Sequence, residues 1–517
     1  MARAKTILRN VVANWVGLIF QLVLSFCLTP LVVRMLGPTQ FGLWAFITGT
    51  MGYYGLLDLG MRAGMTQYMA RSLAKKDYER ANRVASTGVV TLGSCGLLAF
   101  VASCLLAVFL HLALDVPAEY QQSIRWAVVI VGFSVAVQFV CFPFSAVFSA
   151  TQRYDLSNAL GMSTSMLGAI LTYLALSNGY GLVGVATATS VANTLGYLTR
   201  CVVAFRLLPT LRISLGRAQW EQAWEIVSFG VWSVLNAASH QLIHYSDILV
   251  IGLFLPVEAV TPFALGGSLA LHFDRVFRSA AGVCFPEVTK LDAERDEQQL
   301  RRFFLVGTRL MFSLAVTLAV VSTLWADAFF NIWVGADVAA GNGFCRIATI
   351  YSTLAVGAAV TCGQALGRQV LLGTRRVRKL SVLSAGEGVL NVLLSILLAG
   401  PLGMGLWGVA IGTLVPAVLC HGFVIPWFVA KLLDVPYSRY VQEVLVRVVA
   451  MAGCQLLVGH IGYRLLPTPE SWDVLIACGI ATALPCLGIM FLMGVLRQER
   501  QQYLWNPLRR VTAARAA

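Results

Sequence analysis

The sequence predicts an all-α polytopic membrane protein of about fourteen transmembrane helices. Three observations predict it: repeated apolar segments of spanning length, positive charge on alternate connecting segments, and an internal repeat. Apolar residues make up 58% of the 517 positions and charged residues only 12%, so little sequence remains for soluble surface. The spans fall at roughly 11–33, 41–61, 84–110, 126–150, 159–177, 182–205, 226–255, 263–285, 304–326, 346–366, 381–399, 405–430, 446–463 and 474–496. Each is long enough to cross a hydrocarbon core of about 30 Å. Inside that core a helix satisfies its own backbone hydrogen bonds.

Lys and Arg are retained on the cytoplasmic side during insertion. Most of the 38 basic residues lie in the amino terminus, the even-numbered loops and the carboxyl tail; a few, Arg34 and Arg464 among them, lie in odd-numbered loops. An even number of spans with both termini cytoplasmic follows, and with it a multi-pass protein of the cytoplasmic (inner) membrane. The net charge of +14 belongs to this sidedness and to attraction for anionic headgroups, not to nucleic acid. Arg3, Lys5 and Arg9 precede a first span too long for a signal-peptide core, so that span is expected to be retained.

The 12 cysteines are scattered, with no CxxC or Cys/His spacing of a zinc site, and read as apolar packing residues. No GxxxxGK[ST] phosphate loop occurs, which argues against ATP hydrolysis by this chain. The polar stretches at 62–83, 286–303 and from Arg497 onward are too short for an independent domain. The acidic residues of the second outer loop, Asp115 and Glu119, read as solvated surface charges rather than a catalytic set.

GLVGVATATSVAN at 181–193 aligns without gaps to GLWGVAIGTLVPA at 405–417, with seven identities in thirteen positions. The match pairs the sixth span with the twelfth, so two six-helix units enter the membrane from the same side. The expected organisation is an N-terminal lobe at 1–205, an amphipathic cytoplasmic connector at 206–225, a C-terminal lobe at 226–430, and two additional helices with a cytoplasmic tail at 431–517. The connector mixes Arg with Leu, Ile and Trp, as an interfacial segment does.

PLVVRMLGPTQFGLWAFIT at 30–48 and LLDLGMRAGMTQYMARSLAKKD at 56–77 resemble the polysaccharide and O-antigen flippases of the multidrug/oligosaccharidyl-lipid/polysaccharide exporter superfamily. The resemblance implies two pseudo-symmetric lobes forming a V around a central cavity. It also implies alternation between inward-open and outward-open states that carries a lipid-linked sugar across the inner membrane.

Polar residues inside the spans supply the candidate site. In the seventh span Ser233, Asn236, His240, His244 and Asp247 fall within an arc of about 80° on a continuous helix. In the eighth, His272, Asp274, Arg275 and Arg278 lie at mid-membrane depth, where a charge costs roughly 2.5–3.5 kcal/mol and should face protein or water. The structural alternative is an internal Asp274–Arg278 pair at i,i+4. In the first span Asn10, Asn14, Gln21 and Ser25 share a narrower arc, open to interhelical hydrogen bonding or to substrate. Asp58 and Arg62 pair at i,i+4 either as a structural clamp or as a functional charge pair, and Arg34 meets either a phosphate or the outer headgroups. Glu387, with Asn391 one turn on, is a proton or Na⁺ coupling candidate whose alternative is a surface pair with Arg378 or Lys379.

The expected function is a secondary transporter that flips a polyprenyl-diphosphate-linked oligosaccharide for surface polysaccharide assembly. Arg275, Arg278 and Arg34 would meet the anionic group, and His240, His244, Asn236, Asn14 and Gln21 the sugars. Asp247, Asp274, Glu387, Asp58 and Arg62 are coupling or structural charges. No cofactor or metal is expected beyond a coupled proton or sodium ion. The expected partners are the lipid-linked sugar, membrane lipids, a polysaccharide polymerase and other assembly proteins. A multidrug or cation antiporter of the same superfamily is the alternative, and a membrane glycosyltransferase or ligase a more distant one.

Overall fold

Helices account for the regular structure throughout this computed structural model, which describes residues 2–495 apart from positions 115, 215 and 217. Of residues 2–8, 111–113 and 228–233 it describes the backbone alone. Asp115, the side chain of Ser233 and the tail from 496 therefore lie outside the described residues. Among the described residues, ten helical elements are long and apolar enough to cross a membrane. The chain divides into two compact units, Met1–Ala264 and Leu265–Ala517.

In the first unit the helices are α1 (Ala2–Gly52), α2 (Met61–Ala74), α3 (Tyr78–Ala113), α4 (Gln121–Ala150), α5 (Tyr154–Ser177), α6 (Gly181–Leu207), α7 (Trp220–His244) and α8 (Ser246–Phe254). At 51 residues α1 is too long for one crossing, and Gly37 divides it with φ 76° and ψ 167°, a conformation that only glycine adopts cheaply. The two limbs follow different neighbours. Before Gly37, Asn14 meets Asn158 and Gln21 meets Ser165, so numbering rises on both helices and α5 runs parallel. After it, Gly42 abuts Val257, Gly49 abuts Ile248 and Gly52 abuts Gln241, so α8 and α7 run antiparallel. Gly42 has no room for a side chain, since a Cβ there would meet the Val257 carbonyl oxygen at 2.5 Å.

The core of this unit gathers Met61, Met65 and Met69 of α2, Val84 and Leu92 of α3, Phe139, Val147 and Phe148 of α4, and Leu208, Leu211 and Ile226 from the connector and beyond. The connector itself is largely irregular until α7 begins at Trp220. Its free backbone groups bond to α3, as buried peptide groups must. Asn82 donates to the Thr210 carbonyl at 3.0 Å and accepts from the Arg212 amide at 2.9 Å. Ser86 and Thr87 hydroxyls accept from the Ser214 and Gln219 amides, each at 3.2 Å. Trp220 and Trp224 remain largely exposed at the start of α7, as interfacial tryptophans do.

The second unit begins within α9 (Val260–Gly282), at Leu265. It contains α10 (Phe285–Glu294), α11 (Glu297–Leu324), α12 (Ala326–Val334), α13 (Ala336–Ala339), α14 (Ile347–Gly363), α15 (Ala365–Gly373), α16 (Val377–Ala399), α17 (Gly405–Ala417), α18 (Ile425–Leu432), α19 (Tyr437–Tyr440), α20 (Val446–Leu465) and α21 (Trp472–Ile489). Three π-helical segments, Val418–Val424, Val441–Leu445 and Met490–Gly494, join or end these helices. A π turn displaces backbone carbonyls from their usual partners. Arg309, wholly buried on α11, takes up two of them: Nε donates to the Gly494 carbonyl at 2.9 Å and Nη1 reaches the Glu443 carbonyl at 3.4 Å. Gln455 of α20 donates to Thr317 at 2.7 Å and to the Cys486 carbonyl at 2.8 Å, so one polar seam holds α20 and α21 to α11.

The internal repeat is visible in the backbone. Gly179 and Gly181 have φ of 77° and 53°, and their equivalents Gly403 and Gly405 have 63° and 59°. Each turn thus needs glycine at the same two places, and each starts a helix, α6 or α17.

Candidate functional site

Within the first unit, the sequence-predicted polar residues form two groups. Asn14 accepts from Asn158 at 2.7 Å, and Gln21 donates to Ser165 at 2.7 Å, so both side chains are placed by α5. Around Gln21 lies a cavity of about 300 Å³, lined also by Ser25, Phe41, Trp44, Thr164, Ser165, Thr172, Thr189 and Asn193. The sequence pointed to only two of these, because isolated Ser and Thr residues in a helix carry no periodic signal and bond readily to their own backbone.

In the second group Asn236 is exposed, while His240 and His244 are half-buried with ring centroids 4.5 Å apart. The expected stripe does not continue to Asp247. The helix breaks at Tyr245 (φ −125°, ψ −13°), and Asp247 sits in α8, buried. A continuous helical wheel across 233–247 is therefore corrected: the break resets the angular phase. Beside it, the Tyr53 hydroxyl donates to the Gln241 carbonyl at 3.2 Å and Gln241 donates to the Gly52 carbonyl.

Asp58 and Arg62 hold the turn between α1 and α2. Asp58 accepts from the Gly60 amide at 2.7 Å, and Arg62 Nε lies 3.0 Å from the other carboxylate oxygen. The guanidinium also stacks over Phe139 and Phe142 at 4.7 and 5.1 Å. With Leu59 and Gly60 both at positive φ, these contacts fix a strained turn. Arg34 is exposed on α1, close to the Gly37 break.

In the second unit, α9 carries Asp274, Arg275 and Arg278. Arg278 donates to Asp274 at 2.5 Å; the Asp274 side chain is 13% exposed and that of Arg278 44%. Arg275 is exposed one residue from this pair, and His272 is half-buried. α9 is not among the helices apolar enough to count as a span by composition, which suits a helix that shows charge to water.

Glu387 lies not at the surface beside Arg378 or Lys379 but inside the second unit. Its carboxylate is 3.1 Å from His421 Nε2, and both side chains are almost wholly buried. His421 sits in the Val418–Val424 π segment of the twelfth span, beside Cys420. The ligand atoms of Glu387, Cys420 and His421 lie within 4.8 Å of one another, the one such cluster among the described residues. His421 Nδ1 is buried without a hydrogen-bond partner. Arg368 is within electrostatic reach of Glu387. Sequence reasoning missed His421 because 34 positions and a π turn separate it from Glu387. Asn391 donates to Thr413 at 3.0 Å, which joins α16 to α17 one turn further along.

A polytopic helical bundle built on a repeat, with charged and hydrogen-bonding clusters inside its helices, defines a multi-pass membrane transport protein. The family described as "Polysaccharide biosynthesis protein" matches residues 7–292, over half of the chain, and the chain belongs to it. Both stretches that carry the flippase resemblance fall inside the match. The chain is 21% identical over 521 residues to the uncharacterized membrane protein EpsK of Bacillus subtilis (strain 168), covering 98% of each. It is 19% identical over 343 residues to a putative O-antigen transporter of Shigella flexneri, covering 64% of this chain and 77% of that one. Among solved structures, the inward closed lipid II flippase MurJ matches with a TM-score of 0.70 at 10% identity, over 93% of this chain and 98% of that one. An inward-facing multidrug resistance MATE family transporter of the MOP superfamily matches at 0.64 and 18% identity, over 79% and 95%. At these identities the structural matches establish the fold.

Proposed function

We infer that the chain moves a polyprenyl-diphosphate-linked oligosaccharide across the inner membrane by alternating access, with both termini in the cytoplasm, during assembly of a surface polysaccharide. A polysaccharide polymerase on the outer side would receive the product. The observation that carries this reading is the charge arrangement of α9 in a chain of the polysaccharide biosynthesis family. Arg278 is committed to Asp274, whereas Arg275 stands exposed beside that pair as a cation on a transmembrane helix. A guanidinium there offers paired, charge-assisted donors to a diphosphate. The neutral polar residues of the first unit supply sugar contacts, and the lipid tail needs no polar partner. Asp247 and Asp274 formally balance Arg275 and Arg278, so charge discriminates only weakly against a cation antiporter, and the flippase-like stretch at 56–77 decides the ranking.

The buried Glu387–His421 pair supports proton coupling. A carboxylate and an imidazole sharing one proton carry no net charge, and gain or loss of a proton makes the pair +1 or −1; the π segment that carries His421 is a natural place for the backbone to respond. His421, Cys420 and Arg368 are the titratable or charged groups facing Glu387.

Both parts are tested in one assay. The purified chain in sealed vesicles should translocate a fluorescent short-chain prenyl-diphosphate oligosaccharide without ATP, faster under an imposed pH gradient. Arg275→Ala should lower the rate about tenfold or more, the scale of one charged hydrogen-bonding partner. Glu387→Gln should leave transport insensitive to the gradient. Wild-type vesicles that fail to translocate the lipid-linked glycan, or that expel cationic dyes instead, would sink the flippase assignment. Gradient dependence retained in Glu387→Gln would remove the pair from the coupling role.

A further inference from the structure

The cavity of the first unit has a composition that the charge argument leaves unused. It is lined by α1, α5 and α6, and every lining residue is uncharged. Eight of the lining side chains are polar, Gln21, Ser165, Thr172, Thr189 and Asn193 among them, with the indole of Trp44 beside them. The Thr172 hydroxyl is the telling group. Thr172 is 1% exposed, yet its oxygen meets no hydrogen-bond partner, although a mid-helix threonine ordinarily bonds back to its own helix. An unpartnered buried hydroxyl on a cavity wall is costly unless something in the cavity completes it.

The internal repeat shows that the Thr189 hydroxyl lacks a partner that its equivalent in the second unit has. Thr189 corresponds to Thr413 in the aligned turn. In the second unit Thr413 receives a hydrogen bond from Asn391. The position equivalent to Asn391 in the first unit is Leu167, which has no amide to give. The Thr189 hydroxyl there bonds only to its own turn, to the Val185 carbonyl at 2.7 Å and the Ala186 carbonyl at 3.2 Å, which leaves an acceptor lone pair on the cavity side. Across the wall, the Gln21 to Ser165 bond fixes an amide and a hydroxyl with capacity remaining on both.

We propose that this cavity binds an uncharged sugar residue of the transported glycan, with Trp44 against a ring face and Thr172, Ser165, Gln21 and Asn193 exchanging hydrogen bonds with ring hydroxyls. The proposal rests on the flippase reading and adds the class of sugar to it. A hexose or N-acetylhexosamine presents alternating donors and acceptors around an apolar ring face, and the lining supplies matching groups and an aromatic surface. A uronic acid or a phosphate would enter a space with no cation to balance it, at the cost of desolvating its charge. Selection by hydrogen bonding is strong because a poor ligand leaves buried groups unpaired.

The test uses the full chain in vesicles and in lipid nanodiscs, with three carriers on one short prenyl diphosphate: a neutral N-acetylhexosamine-headed glycan, the same glycan headed by glucuronate, and the bare diphosphate. Thr172→Val, which keeps the shape, and Trp44→Leu should slow the neutral carrier about tenfold at normal membrane abundance and leave the bare diphosphate unchanged. Thr172→Ser and Trp44→Phe should restore the neutral carrier. Equal loss for all three carriers, or no loss for any, would overturn the proposal. Should the wild type translocate none of them, the flippase reading fails separately, and binding of a fluorescent neutral trisaccharide to the nanodisc protein decides the cavity. Binding that Thr172→Val abolishes and Thr172→Ser restores keeps the site, and no binding removes it.

Discussion

Arg275 and Arg278 are the same residue type on the same helix with different physical roles. Arg278 closes on Asp274, the lesser exposed of the two, so its removal strands a carboxylate that has left water. Breaking a fully buried pair costs roughly 3–5 kcal/mol. Here the cost is smaller, because the Arg278 side chain is 44% exposed and solvent screens the pair. Arg278→Ala should therefore lower the melting temperature and membrane abundance, while Asp274→Asn/Arg278→Gln should recover most of both, read by detergent-phase thermal unfolding and quantitative blotting. An Arg278→Ala protein as stable as wild type would show that water already satisfies Asp274. This pair was legible in the sequence because i,i+4 spacing alone brings the two groups together. The Glu387 partner was not, since the nearest basic residues along the chain are at the helix start and the actual partner comes from another helix.

At the scale of elements, spans of uniform apolarity are easy to place and their internal irregularities are not. Hydropathy located the last two spans, yet nothing in VQEVL or MFLMG announces a π turn. The signal lies in α11, where an arginine inside an apolar helix needs acceptors and finds the Glu443 and Gly494 carbonyls. The same logic explains the connector: its Arg, Leu and Trp content indicated an interfacial segment, but the bonds from Asn82, Ser86 and Thr87 that strap it to α3 depend on side chains over a hundred residues earlier. Arg309→Met keeps the apolar stem and removes both donors. It should destabilise the second unit by about 2–4 kcal/mol, since two buried carbonyls lose their partners at roughly 1–3 kcal/mol each with partial relaxation. The expected readout is a lower unfolding temperature and faster proteolysis between α20 and α21, with Arg309→Lys intermediate. Unchanged proteolysis in Arg309→Met would show that packing alone docks the two helices.

At the scale of the molecule the number of crossings sets which side each cluster faces. Ten elements are apolar enough to span by composition. The first covers 50 residues and is broken at Gly37, so it serves as two. α6 and α9, of 27 and 23 residues, have the length for a crossing and fall short only in apolarity, because they carry the polar groups a transporter needs. The α7–α8 pair supplies one more, interrupted at Tyr245. We propose on this count the fourteen crossings expected from the charge pattern, an even number that would return the chain to its starting side. The expected outcome is specific: reporters inserted near Lys75, Lys290 and Arg376 report cytoplasm, and one near Asp337, between α12 and α14, reports the outer side. If α9 failed to cross, the loop at Lys290 would lie outside and every later loop would invert, so an outer signal at Lys290 with a cytoplasmic one at Asp337 would overturn the count. That outcome would also take Arg275 and Arg278 out of the membrane, where their charge would cease to be costly and would lose its claim on a diphosphate.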